Sequence, residues 1–183
     1  MKDLNKLSKE VFEANKAKGF HEEEHSIEHM LCLVISELME AVEADRKGRR
    51  ADIVKYNEYT LAKKEQNEKL NDEQFSGVFI SYIKDSVEDE LADAVIRLLD
   101  TAGASGVALD VFDYDFRIEN ELFTENIFEI IYVIMSYNES YCISYAIDMI
   151  EGLCDLLNID LWKHVELKLK FNSLRPYKHG KKY

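Results

Sequence analysis

Four acidic side chains in two pairs are the residues of this sequence best suited to chemistry. Glu37 and Glu40 lie three positions apart, and so do Glu90 and Asp93. At roughly 100° per residue, a three-residue step keeps both acids of a pair on one side of a helix. Each pair sits in an apolar run: Val34-Ile35-Ser36-Glu37-Leu38-Met39-Glu40-Ala41, and Glu90-Leu91-Ala92-Asp93-Ala94. Acids on a helix commonly face water or a cation at i+3 or i+4. Glu43 has Arg46 and Lys47 there, and Asp93 has Arg97. Glu37, Glu40 and Glu90 have no cation at those positions. Two unit charges roughly 4 Å apart repel by about 4 kcal/mol at an effective dielectric near 20, so half-buried acids this close need a cation or a proton. A donor set of oxygens alone favours Mg²⁺ or Mn²⁺ over zinc or copper. Magnesium held by carboxylates usually serves phosphate chemistry.

A basic stretch ends the chain: Lys163, Lys168, Lys170, Arg175, Lys178, Lys181 and Lys182, against Glu166 alone. Lys168, Asn172 and Arg175 recur at i, i+4 and i+7, one stripe of a helix. Two cations and an amide fit a phosphate-bearing ligand; the plainer reading is a basic tail that balances charge. His21, His25 and His29 recur at i, i+4 and i+8, and Glu22xxHis25 is half of a di-iron pattern whose second copy is missing. They read as surface or capping groups. No GxSxG and no P-loop occur, and there is no His-Asp dipeptide. Cys32 sits in a hydrophobic run without an evident base and reads as core. The aromatics Phe123, Phe128, Tyr132, Tyr137, Tyr141, Tyr145 and Trp162 are spaced as core residues, which leaves a base-stacking residue unassigned.

These groups need long helices to hold them, and the composition supplies them. The 183 residues include one Pro and seven Gly, and no two-residue alternation marks a strand. The expectation is a single all-α domain over residues 1–183, a bundle of about five to six helices. Leu4 to Lys18 forms the first, and the second runs to about Arg46. Phe75 opens an apolar pattern that continues as one helix to about Gly103. Glu121 to Ser136, Tyr141 to Leu157, and a last helix ending at Pro176 follow. Between them, Ala51 to Asp72 is a charged helix or arm with few apolar anchors. The net charge of −13 argues against nucleic acid and anionic membrane as partners. Three unpaired cysteines, each among apolar residues, read as buried free thiols in a cytoplasmic protein. Leu31 to Ile35 is apolar all round, which favours a homodimer or higher homo-oligomer.

Taken in order, Glu37xxGlu40, Glu90xxAsp93 and Lys168xxxAsn172xxArg175 resemble the MazG-like all-α nucleoside triphosphate pyrophosphohydrolases. The likeness covers residues 36–49, 87–100, and the final helix and tail. It implies an oligomeric helical bundle in which Glu37, Glu40, Glu90 and Asp93 bind Mg²⁺ and a (d)NTP is cleaved to (d)NMP and pyrophosphate. On that reading Glu37 or Glu40 is the catalytic base that deprotonates the attacking water, and Lys168, Asn172 and Arg175 contact the triphosphate. Residues 41 to 89 separate the acidic motifs by more than is usual in that family, which marks 51–72 as an insertion. The alternative is a non-catalytic helical adaptor that docks a partner through that charged arm.

Overall fold

A computed structural model describes residues 2–66, 68–110, 122–136 and 139–180. The expectations for the irregular stretch within 111–121, for Tyr137 and Asn138, and for Lys181 and Lys182 lie outside these residues. Among the described residues the chain is all-α, with eight helices and no strand. They are α1 (Leu4–Ala17), α2 (Ile27–Arg46), α3 (Ile53–Glu65), α4 (Asp72–Tyr82), α5 (Val87–Ser105), α6 (Phe123–Met135), α7 (Glu139–Leu156) and α8 (Leu161–Leu174), and a short turn, Tyr177–Gly180, follows. None of the described helices is long and apolar enough to cross a membrane.

Short polar side chains start most of these helices. Asp3, Ser26, Asp52, Asn71, Ser86 and Asp160 each accept a backbone N–H from the first turn that follows, one of the donors a helix leaves unpaired. Asn71 and Gln74 close a capping box. Gly106, at φ 65°, ends α5 in the left-handed conformation glycine adopts without strain.

The bundle is built around α5, which meets α1, α2, α7 and α8. Leu91, Val95, Leu98 and Leu99 of α5 are fully buried against Val34 and Leu38 of α2 and Ile143, Ile147 and Ile150 of α7. Helix α1 comes so close that a Cβ on Gly103 would lie 2.6 Å from the Phe12 Cβ, so only glycine fits there.

The helix expected from Phe75 to Gly103 is two helices. Ile83 to Ser86 break it: Asp85 takes φ 59°, and Ser86 caps α5. This break, together with α3, takes the count beyond the five to six helices expected. The charged segment also does not project as an arm. Tyr56 of α3 joins Phe75, Val78, Phe79 and Ile83 in a second, smaller core that rests on Leu167 and Phe171 of α8, where the Phe79 and Phe171 rings stack at 4.5 Å. Cys142 and Cys154 are buried as expected, whereas Cys32 is exposed: α2 turns Leu31 and Val34 inward and leaves Cys32 on its solvent side.

Candidate functional site

The break before α5 decides where the acids go. Glu88, Asp89 and Glu90 become the first turn of α5, where unpaired N–H groups and the helix dipole favour negative charge, and all three are buried. Helix α2 crosses this turn with Glu37 and Glu40. Carboxylate oxygens of Glu37, Glu40 and Glu90 lie within 4.8 Å of one another. Glu37 is 2% exposed and Glu90 4%, while Glu40 is open to solvent. A second trio, Asp85, Asp89 and Glu90, meets the same distance limit, so Glu90 belongs to both groups.

Two cations, each from a different helix than the acid it bonds, answer this charge. Arg97 of α5 donates from Nε to Glu37 Oε1 at 2.5 Å. Lys168 of α8 places its ammonium 2.9 Å from Asp89 Oδ2 and 3.3 Å from Asp93 Oδ2. Asp89 Oδ2 also accepts the Asp85 backbone N–H at 2.9 Å, while Asp89 Oδ1 is buried with no hydrogen-bond partner among the described residues. Burial drives the Glu90 carboxyl up to about 8, and the charges of Asp89, Asp93 and Glu37 add to it against the pull of Lys168. Burial, with Asp93 behind it, also raises Glu37, and burial raises Asp89. Burial opposes the Lys168 ammonium, yet Asp93, Asp89 and Glu90 hold its pKa above the usual lysine range. Glu90 therefore holds its proton well above the usual carboxylate range, and Glu37 and Asp89 shift in the same direction.

The donor set suits a hard dication. Carboxylate oxygens alone converge, one member is open to water, and protons stand where a metal charge would otherwise balance the acids.

Beside the cluster lies a cleft of about 70 Å³. Asp93, Arg97 and Asp100 of α5 form its floor, Phe20 and His21 come from the loop after α1, and His29, Met30 and Leu33 come from α2. Asn172, Arg175 and His179 close the remaining side. Arg175 Nη1 reaches Asn172 Oδ1 at 3.5 Å, and its Nη2 donates to the His179 carbonyl at 3.2 Å.

No protein-family model, characterised protein or solved structure matches this chain.

Of the residues singled out from sequence, Glu37, Glu40 and Glu90 form one cluster, while Asp93, Asn172 and Arg175 line the adjoining cleft. Lys168 differs from its expected position at a triphosphate: it is 5% exposed and lies beneath the acids, committed to Asp89 and Asp93. Two charge assignments change with it. Glu37 and Glu90 have no cation nearby in sequence, yet Arg97 bonds the first and Lys168 acts on the second. Arg97, four residues from Asp93 and under its charge, also bonds Glu37 of α2.

Two residues of the site, Asp89 and His179, escaped the sequence reading, and a third, His21, is half-buried and paired where a surface or capping group was expected. Asp89 precedes the Glu90 motif and is not singled out by the three-residue spacing. His21 sits 2.9 Å from Asp100 through Nε2, a pairing across 79 residues that no local pattern announces. His179 is hidden by its basic surroundings. His25 and His29 stack at 4.5 Å and line the cleft, but neither belongs to a metal-capable group among the described residues.

Acids that could hold a hard cation, next to a cleft carrying Arg175 and Asn172, form an arrangement compatible with phosphate chemistry.

Proposed function

We propose that this protein is a MazG-like, Mg²⁺-dependent nucleotide pyrophosphohydrolase that converts a (d)NTP to a (d)NMP and pyrophosphate. The observation that carries this reading is the convergence of Glu37, Glu40 and Glu90 next to a cleft lined by Asp93, Asn172 and Arg175. Glu37, Glu40 and Glu90 would hold the metal, with Asp93 at the cleft edge as a fourth carboxylate. Bound Mg²⁺ supplies charge neutralisation for the phosphates and Lewis acidity at phosphorus.

The chain's own groups divide the remaining work. Glu37 is engaged by Arg97, whereas Glu40 is exposed, so Glu40 is the better placed to take a proton from the attacking water. Arg175 offers a planar fork to phosphate oxygens, and Asn172 offers an amide beside it. Lys168, buried against Asp89 and Asp93, fixes those carboxylates in place rather than meeting the substrate, and Arg97, which lines the cleft, holds Glu37.

The reading extends to a homodimer or larger homo-oligomer. Phe128, Tyr132 and Met135 recur at i, i+4 and i+7 on α6 and are largely exposed, as is half of Met39 on α2. A second copy covering this stripe would bury it. Its free cysteines suit a reducing, cytoplasmic setting.

The test is pyrophosphate release from a panel of nucleoside triphosphates with Mg²⁺. Wild type should release pyrophosphate from at least one of them, and Glu40→Gln should lower kcat by at least about 100-fold, more than typical losses of residues that merely support metal ligands. No release from any nucleotide, or an undiminished Glu40→Gln, overturns the assignment.

A further inference from the structure

A pocket of about 220 Å³ shares no lining residue with the cleft beside the acids. Arg49, Arg50, Lys55 and Lys84 line it, and Asp52 is the single acid among its lining residues. The chain as a whole has 36 acids against 23 lysines and arginines and a net charge of −13. The long-range field of such a molecule repels anions, so cations gathered in one small pocket act at short range.

Ion pairs around the pocket do not use up this charge. Lys55 meets Asp52 at 2.9 Å, and Arg50 Nε meets Glu88 Oε1 at 3.2 Å. Arg49 and Lys84 share the carboxylate of Asp85, which Arg49 approaches only to 3.7 Å. Three acids therefore serve four cations. Glu88 is divided further, since its Oε2 accepts the Ala51 N–H at 2.8 Å. Arg49 Nη2 donates to the Lys84 carbonyl at 2.8 Å, which holds its guanidinium in place. The other nitrogens of both guanidinium forks remain as donors of the kind that oxyanions take.

The helices add to the charge. Asp52 caps α3 and Ser86 caps α5, and both line the pocket, so the positive ends of two helix dipoles meet there. The C-terminal end of α4 borders it as well, but the Tyr82 carbonyl there is taken by the Asp52 N–H at 2.8 Å. The pocket is also tied to the acids. The Val87 N–H, at the start of α5, donates to the Arg49 carbonyl at 3.2 Å, and Asp89 and Glu90 follow in the same turn.

A single carboxylate would leave most of this charge unanswered, and a pocket of this size admits only a small solute. A compact anion with several charged oxygens meets both conditions. We propose that the pocket binds a phosphate-bearing small molecule, apart from the acid cluster, and that the bound anion steadies the first turn of α5. This holds whether or not the acid cluster hydrolyses a nucleotide.

The experiment titrates orthophosphate, pyrophosphate and adenosine monophosphate into the full chain in EDTA, read by calorimetry and by amide NMR. EDTA keeps metal-bound phosphate out of the acid cluster. Wild type should bind at least one of the three, with the Arg49, Lys55 and Ser86 amide signals moving most. Combining Arg49→Gln with Lys55→Gln should weaken that binding at least about tenfold, the effect of losing charged hydrogen bonds. Arg175→Gln, in the cleft, should change it by less than about twofold. Exchange of the Val87 N–H should slow in the bound form, and unchanged exchange would overturn the steadying of α5. Binding of the inorganic anions alone assigns the pocket to them, and adenosine monophosphate binding as tightly as orthophosphate assigns it to a phosphate monoester. The NMR signals locate the anion even if the double variant fails to fold. Binding of none of the three, signals that move at Asn172 and Arg175 instead, or a loss on Arg175→Gln rather than on the double variant overturns the proposal.

Discussion

Lys168 carries an ammonium into a space where Asp89, Asp93 and Glu90 surround it. Taking a lysine out of water is costly unless opposite charges meet it closely, as they do here at 2.9 and 3.3 Å. Lys168→Met would keep much of the side-chain volume and leave those carboxylates without their nearest cation. We predict a loss of about 3–5 kcal/mol in metal-free protein, read by urea denaturation near neutral pH. A loss below about 1 kcal/mol, the range of a surface pair, would show that the ammonium does not neutralise the cluster. The same residue marks how far a sequence reaches at this scale. Its place in a stripe with Asn172 and Arg175 was visible, and two members of that stripe do line the cleft. Which way Lys168 points was not, because its partners sit on a helix 79 residues earlier in the chain. Testing each acid against its i+3 and i+4 neighbours has the same blind spot, and so misses the bond from Arg97 to Glu37 across α2 and α5.

Helices were legible wherever apolar periodicity and a polar cap agreed, as for α1, α2 and α8. The break between α4 and α5 was not, for a specific reason. Phe79, Ile83, Val87 and Leu91 follow one another at i+4 spacing straight through it, so the apolar pattern reads as one continuous helix. The signal for the break is Ser86, an N-cap residue whose role depends on Asp85 taking φ 59°. Likewise α3 offers only Tyr56 as a buried anchor, too little to distinguish a docked helix from a free one in sequence. Residues 175–180 form a hook fastened to the end of α1, where Lys18 Nζ donates to the carbonyls of Ser173 at 2.7 Å and Arg175 at 2.6 Å. The hook gives the sharpest test at the scale of elements. Gly19 has φ 88° and lies under the Tyr177 ring, so Gly19→Ala combines backbone strain with a clash. We expect a cost of about 1–3 kcal/mol, concentrated in faster amide exchange at Lys178, whose N–H bonds Lys18. Unchanged exchange there would show that the hook is not fastened through Gly19.

For the whole molecule, the acid cluster sets how stability responds to pH and, on the proposed reading, to Mg²⁺. Glu90 rises from 4.5 to about 8 on folding, facing Glu37 of α2, Asp89 and Asp93 of its own helix, and Lys168 of α8. Its native form therefore holds a proton that the unfolded chain has released, so the stabilisation is complete below about 4.5 and is lost as pH rises through about 8. Glu37 and Asp89 shift in the same direction. Magnesium requires the ionised acids, so its stabilising effect should grow over that range. Melting curves at about pH 6 and about pH 8.5, with and without Mg²⁺, should show the larger rise in Tm at the higher pH. An equal rise at both, or none, would disconnect the metal from these carboxylates. The fastening of 175–180 to Lys18 and Gly19 also bears on how the protein is made. Chains emerge from the ribosome N-terminal end first, and α1, α2 and α5 can begin to associate while the rest is still being added. The cleft wall cannot close until His179 has emerged, because both ends of the hook's contacts are needed. A nascent chain would thus carry its carboxylates well before the cleft beside them has its wall, and synthesis itself would delay the completed arrangement until the fold around it is in place.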